Sequence, residues 1–217
     1  MSKHENSIGK GIDVSKLKVS DIIDIDFLQR FQDNFALGVG LTAVSVDISG
    51  NLVTRPSFWS KFCMEYTRKS EVGAKRCMEC DRKGGEQAAL TGKPAIYECH
   101  AGLIDFAAPI IIEGKQIGSI LGGQVLTGPP EENKYRKIAK EIGVNEEEYL
   151  EALKEIPILS RERIEAVAET LFLVANNISN STYQRLNMQL IAATLSDNSH
   201  QISATVEELA ASASQVC

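Results

Sequence analysis

No run of apolar residues in the 217-residue chain approaches the roughly 20 needed to cross a bilayer. The opening stretch, Met1-Ser2-Lys3-His4-Glu5-Asn6, has no apolar signal core behind it. These two absences lead us to expect a cytoplasmic protein with no membrane insertion. Internal repeats of solenoid length and low-complexity tracts are also missing. There is no phosphate-binding loop and no pair of carboxylates in a catalytic setting, and Gly122-Gly123 falls within a strand pattern rather than a dinucleotide fingerprint. The expectation is therefore that the chain is not an enzyme. Positive charge is not in excess: the formal net charge of -6 argues against a nucleic-acid partner. One local basic stretch, formed by Lys61, Arg68, Lys69, Lys75, Arg76, Arg82 and Lys83, surrounds the cysteines.

With 43% hydrophobic and 24% charged residues the composition is globular, and the length suits one domain with a helical extension. Polar residues from Met1 to about Gly11 read as a flexible N-terminus. Ser20-Asp21 is a candidate helix cap, after which Ile22, Ile23, Phe27, Leu28, Phe31 and Phe35 recur at helical spacing until Gly38 and Gly40. From Leu41 the period changes to that of a strand running to Asp47, a tight turn at Ser49-Gly50-Asn51, and a second strand over Leu52-Val53-Thr54. Phe58, Phe62 and Tyr66 align on a helix opening after Pro56-Ser57, and a further helix runs from Ala74 to Leu90. Three strands follow, over Ala95 to His100, Leu103 to Ile112 and Gln116 to Leu126, with a turn at Glu113-Gly114-Lys115. After Pro129-Pro130 the patterning is helical. This order predicts an α+β fold, a PAS-like antiparallel sheet with flanking helices, followed by a long C-terminal coiled-coil helix.

Cys63, Cys77, Cys80, Cys99 and His100 sit within 38 residues. Cytoplasmic thiols stay reduced, so these are candidates for metal ligands, reactive thiols or core residues rather than structural disulfides. Cys77-Met78-Glu79-Cys80 has the spacing with which two thiolates grip one tetrahedral ion, and Cys63 with Cys99, or His100 as a substitute, would complete four ligands for zinc or an iron–sulfur cluster. Unmetallated packing and a redox thiol are the other two readings of the same residues. Lys75, Arg76 and Arg82 nearby are expected to lower the thiol pKa values. A c-type haem is excluded, because Cys77 and Cys80 are followed by Asp81 rather than His.

Gly114, Gly118, Gly122 and Gly123 punctuate the last hairpin, and glycine inside a strand marks a bulge or close backbone approach. Together with Trp59, Cys63, Tyr97, His100, Asp105 and Gln124 they outline a ligand pocket, in which Asp105 is a candidate partner for the His100 ring. Cys99 and His100, being adjacent on a strand, point to opposite faces and cannot act as a nucleophile–base pair.

Several separated motifs carry a resemblance over about Phe27 to Leu126. They are Pro56-Ser57-Phe58, Phe62-Cys63, Cys77 with Asp81, Tyr97-Glu98-Cys99-His100-Ala101-Gly102-Leu103-Ile104-Asp105-Phe106, Ala108-Pro109-Ile110, Gly118, and Gly122-Gly123-Gln124-Val125-Leu126. These residues resemble the PocR-type sensory domain. The resemblance implies a PAS-like fold that senses small molecules such as short-chain diols in bacterial regulators of catabolism.

Ile164, Val167, Leu171, Val174 and Ile178 form an apolar stripe, and the helical pattern from about Arg161 to Cys217 is longer than ordinary globular helices of ~8–20 residues. Met188, Leu195, Ile202, Leu209 and Val216 recur every seven residues, with Ala192, Ser199, Val206 and Ala213 on the complementary seam. That repeat predicts self-association as a parallel homodimer. Glu207 and Glu208 fall on its outward face between small residues. The segment Ser203-Ala204-Thr205-Val206-Glu207-Glu208-Leu209-Ala210-Ala211-Ser212 resembles the methylation site of methyl-accepting chemotaxis receptors. That second resemblance implies a membrane-free chemoreceptor, methylated at Glu207 and Glu208, whose kinase and adaptor partners bind through a C-terminal part that this sequence lacks. The expected division is a flexible N-terminus over 1–14, a sensor over 15–157, and a signalling helix opening the methyl-accepting domain over 158–217.

Overall fold

The computed structural model describes residues 17–215. The flexible N-terminus expected over 1–14, the domain start at Ser15, and Val216 and Cys217 lie outside the described residues.

A one-turn helix α1 (Val19–Ile22) precedes α2 (Ile25–Val39). The cap of α2 is Asp24 rather than Ser20-Asp21: its carboxylate accepts the N–H groups of Asp26 and Phe27, two of the donors a helix start leaves unpaired. Gly40, in the left-handed region, closes the helix by donating its N–H to the Ala36 carbonyl. The buried face of α2 is Leu28, Gln32 and Ala36, while Phe27 is exposed. Gln32 stays buried without penalty because its amide is saturated: Nε2 donates to the Arg55 carbonyl and Ser57 Oγ, and Oε1 accepts from Ser45 Oγ and Thr54 Oγ1.

Four antiparallel strands follow, β1 (Thr42–Asp47), β2 (Ala95–Glu98), β3 (Ile104–Ile112) and β4 (Lys115–Val125), ordered β1-β4-β3-β2. The expected second strand over Leu52-Val53-Thr54 is reduced to a single bridge between Leu52 and Val46. Two side chains explain the loss. Asp47 Oδ1 accepts from Ser49 and Asn51, bending the chain, and Thr54 Oγ1 takes the Ser45 N–H that a ladder carbonyl would have received. Glu113 and Gly114 both have positive φ, the backbone of the two-residue turn that suits the twist of the β3–β4 hairpin.

The helix expected from Phe58 is instead a π-helical turn over Phe62–Thr67. The chain is still extended at Ser57, which bridges Ala43, and Phe58 is left-handed (φ 58°). The wide turn is held by the Arg68 N–H donating to the Cys63 carbonyl and by the Thr67 hydroxyl donating to the Phe62 carbonyl. It drives Phe62 into a cluster with Tyr135 and Tyr149, whose ring stacks on Phe62 at 4.1 Å. Burying Phe62 contributes roughly 2–3 kcal/mol.

α3 (Glu71–Thr91) starts at Ser70, whose hydroxyl oxygen accepts the Gly73 N–H, and ends at left-handed Gly92. Its buried face is Gly73, Cys77, Asp81, Gly84, Gly85 and Ala88, at helical spacing. Ala88 packs with Val44, Val46, Ala95, Ala107 and Leu121 of the sheet. A Cβ on Gly84 would fall inside the Tyr97 ring, so the absence of a side chain there lets helix and sheet meet closely. α4 (Glu132–Ile142) and α5 (Glu146–Leu153) complete the cluster around Phe62. The fold is thus the expected α+β class.

α6 spans Arg161–Gln215. The first compact unit extends through Ser179. Within it Ile164, Ala168, Leu171, Ala175 and Ile178 are buried, and the Ile111 N–H donates to Ser179 Oγ at 3.1 Å. The stripe from Ile164 to Ile178 is therefore covered by its own chain. The second unit, from Asn180, is helical to Gln215, and Met188, Leu195, Ile202 and Leu209 are each more than 60% exposed, at 71%, 63%, 65% and 65%, without cover among the described residues. Glu207 and Glu208 are exposed on the same helix. Among the described residues no helix is long and apolar enough to cross a membrane.

Candidate functional site

A pocket opens between α3 and the sheet, walled on a third side by the segment from Trp59 to Arg68. β1 supplies Thr42 and Val44, α3 supplies Cys77, Cys80 and Asp81, β2 supplies Tyr97, and β3 and β4 supply Asp105 and Gln124. Cys63 enters from the π-helical turn, and Cys99 from just beyond β2. Its free volume is about 40 Å³. That is room for roughly three water-sized groups, so an occupant has only a few non-hydrogen atoms.

The pocket forms where β4 bulges. Asp105 pairs with Gly123 but Ile104 pairs with Val125, leaving Gln124 as the extra residue. Gly123 (φ 139°) and Gln124 (φ 57°) carry the required backbone. The bulge turns Gln124 to face two partners: its N–H donates to Asp105 Oδ1 at 2.8 Å, and its Oε1 accepts both the N–H and the hydroxyl of Ser60. Ser60 is thereby fixed next to Trp59, whose ring lies 4.4 Å below the Arg68 guanidinium. Arg68 is paired with Asp81 at 2.5 Å, both side chains largely buried.

Five of the six expected ligand residues, Trp59, Cys63, Tyr97, Asp105 and Gln124, line this pocket. His100 does not; it stands behind Cys77, with Nε2 3.1 Å from Cys77 Sγ, and its backbone N–H donates to Cys80 Sγ at 3.4 Å. The expected Asp105–His100 pairing is absent, since Asp105 is taken by Gln124. Arg68 and Asp81 belong to the site although sequence reasoning did not place them in the pocket. Among the described residues two side-chain polar atoms, the Tyr97 hydroxyl and His100 Nδ1, are buried without a side-chain partner. The Gly73 backbone faces the His100 ring and favours its protonated form.

All four cysteines of the expected metal set, Cys63, Cys77, Cys80 and Cys99, line the one pocket, and all are free thiols. Among the described residues, however, no group of three or more His, Cys, Asp or Glu side chains is gathered so as to hold a metal ion. The thiols converge on a shared cavity rather than on a point, and the expected zinc or iron–sulfur ligand geometry is not formed. The thiols also titrate opposite to expectation. Burial pushes Cys77 up to about 12 against the pull of Arg68, and it raises Cys63, Cys80 and Cys99 as well. Two of the three side chains expected to lower them are spent elsewhere: Arg76 pairs with Glu141, and Arg82 with Glu79 and Glu86. Burial, with help from Arg76 and Arg68, holds His100 down at about 4. Burial lifts Asp105 to about 7.

Residues 21–183 match the family described as the sensory domain found in PocR. Among curated proteins, the regulatory protein PocR of Salmonella typhimurium (strain LT2) is 35% identical over 103 residues, which cover 48% of this chain and 34% of that protein. The chain thus spans about a third of that relative's length. No solved structure matches the chain. With three-quarters of its length matched, the chain belongs to the family of PocR sensory domains.

Proposed function

We propose that the chain is a chemoreceptor sensor that binds a small neutral molecule in the pocket and relays occupancy along α6. The observation that carries the ligand reading is the buried, unpartnered hydroxyl of Tyr97 on the pocket wall. A buried hydroxyl without a partner costs on the order of 1–3 kcal/mol, and a ligand oxygen supplies the partner. Charge selects a neutral ligand. The cation lining the pocket, Arg68, is already paired with Asp81, so an anion finds no free counter-charge there. Short alcohols and diols fit both the chemistry and the volume. The reading assigns no catalytic residue, and it leaves Arg68 tied to Asp81 and Gln124 tied to Ser60.

Relay follows from β3. This strand carries Asp105 in the pocket and Ile111 at its far end, and Ile111 is tied to Ser179 of α6. Beyond Ser179 the helix carries the exposed heptad residues Met188, Leu195, Ile202 and Leu209, which suit a homodimer of parallel helices in the cytoplasm. Glu207 and Glu208 are exposed as methylation requires, and the kinase and adaptor would engage the receptor beyond this segment.

Trp59 is the single tryptophan and lines the pocket, so its fluorescence reads occupancy directly. Titration with C2–C4 alcohols, diols and matching carboxylates should shift the Trp59 emission and raise the melting temperature for neutral members only. Failure of every neutral member to change either signal, or a preference for the carboxylates, would sink the reading.

A further inference from the structure

We propose that Cys77 and His100 make the pocket a reversible covalent trap for a small aldehyde, which adds to Cys77 Sγ as a hemithioacetal. The inference rests on the reading of the pocket as a ligand site and adds to it a class of ligand and a bond.

Four thiols line the pocket, but among the described residues only that of Cys77 touches an imidazole, at 3.1 Å from His100 Nε2. Cys80 Sγ faces the His100 amide N–H instead and accepts from it. His100 is not among the lining residues, so the Cys77 thiol has the cavity on one side and a base on the other. Among the described residues the Cys77 thiol is the side-chain contact of the His100 ring nitrogens. Burial keeps the resting thiol protonated, but a thiol in contact with an imidazole at the wall of a cavity is placed to hand over its proton as an electrophile is attacked. On the same cavity the unpartnered Tyr97 hydroxyl and the Arg68 guanidinium are donors for an oxygen.

Volume and chemistry narrow the electrophile. About 40 Å³ admits only a few non-hydrogen atoms. Acyl donors and alkylating agents expel a leaving group, and alkylation marks the protein permanently. A carbonyl addition has no leaving group and reverses, as a sensor requires. In the step, the S–C bond forms as the C=O π pair moves to oxygen. The thiol proton passes to His100 Nε2, the oxygen takes a proton from solvent with Tyr97 donating to it, and His100 returns its proton to solvent. One thiol and one aldehyde give one hemithioacetal, with no oxidant or reductant.

The test uses the full chain with [1-¹³C]acetaldehyde, followed by ¹³C NMR and by Trp59 fluorescence in parallel. We expect a protein-bound hemithioacetal resonance, distinct from the free carbonyl and its hydrate. It should persist in Cys80→Ser and vanish in Cys77→Ser, which keeps the size of the side chain and a donor to His100. In His100→Gln the adduct should form at least tenfold more slowly, within the range that general-base catalysis contributes. Independently of any variant, acetaldehyde should protect Cys77, but not Cys63, from iodoacetamide in peptide mass maps of the wild-type chain. A resonance that survives Cys77→Ser, or protection that falls on another cysteine, overturns the assignment. A fluorescence change without the resonance overturns covalent capture and leaves the pocket reading standing. Silence in both signals overturns capture too, and the alcohol titration then decides the pocket reading on its own.

Discussion

Gln124, from a left-handed backbone, donates its N–H to Asp105 Oδ1 at 2.8 Å, so a bulged strand residue holds the one pocket acid that no cation neutralises. The bond satisfies one lone pair of a carboxyl whose burial otherwise disfavours charge, and the net effect lifts Asp105 to about 7. In an unfolded chain the same group titrates near ~3.9.

The sign follows from proton counts. Between about pH 4 and 7 the folded state keeps a proton on Asp105 that the unfolded state has released. The stability that this proton confers is present in full below about pH 4, declines as pH rises, and is gone above about 7. Asp105→Asn retains the Oδ1 acceptor and removes the charge, so it should abolish this component of the slope and stabilise the fold at pH 8 by about 1–3 kcal/mol. Urea melts of both proteins at pH 5, 6 and 8 check it. A variant no more stable than wild type at pH 8 would contradict the assignment.

Gly84→Ala tests how closely α3 rides on the sheet. At an ordinary helix-interior position this change stabilises by up to ~1 kcal/mol. Here the new Cβ meets the Tyr97 ring, and forcing helix or ring aside costs about 1–3 kcal/mol. The melting temperature should fall, and the Trp59 response to alcohols should weaken, because Tyr97 and Trp59 line the same cavity. A rise in melting temperature would mean that the ring gives way freely.

Much of the site is legible in the chain because its residues come in motif blocks. Tyr97, Cys99 and Asp105 lie in one such block, and Gly123-Gln124 carries the glycine that announces a bulge. Arg68 escapes detection for a physical reason. It is placed by a π-helical turn whose closing bonds, from Thr67 to the Phe62 carbonyl and from Arg68 to the Cys63 carbonyl, leave no periodic signature. Its inward turn depends on Asp81, which comes from another element. The missing strand at Leu52 escapes for a similar reason: only the fold shows that the Thr54 hydroxyl supplants a ladder carbonyl. The Cys77–Cys80 spacing along α3 does not say where Cys63 and Cys99 arrive; the π-helical turn and the end of β2 bring them to the same pocket.

The two stripes of α6 should respond oppositely to charge. Leu171 is fully buried within the first unit, and Leu171→Glu should lower the melting temperature sharply. Leu195 and Ile202 are exposed, and the double change Leu195→Glu with Ile202→Glu should leave thermal stability of the sensor intact while converting a dimer into a monomer at concentrations on the order of tens of micromolar. Sedimentation velocity reads this directly. A wild-type chain that is monomeric there would remove the dimer from the proposal.

On the proposed chemoreceptor reading, methylation of Glu207 and Glu208 would set the gain of the sensor. Both are exposed on a helix whose apolar seam at Ile202 and Leu209 has no cover from its own chain. In a parallel dimer each glutamate faces the field of its counterparts, so methyl esterification removes like-charge repulsion and tightens pairing by about twofold per neutralised pair. In the proposed relay, α6 carries both Ser179, which is tied to β3, and the heptad seam, so pairing and pocket occupancy would be linked through one helix. Linkage then requires reciprocity: whatever factor neutralisation applies to ligand affinity, ligand must apply to pairing. Glu207→Gln with Glu208→Gln should strengthen dimerisation and shift the Trp59 titration midpoint together. If the dimer tightens while the midpoint stays fixed, the helix does not couple the two. If mass spectrometry finds no methyl ester at either residue after incubation with a chemotaxis methyltransferase and methyl donor, with or without a neutral ligand, these glutamates are not receptor methylation sites.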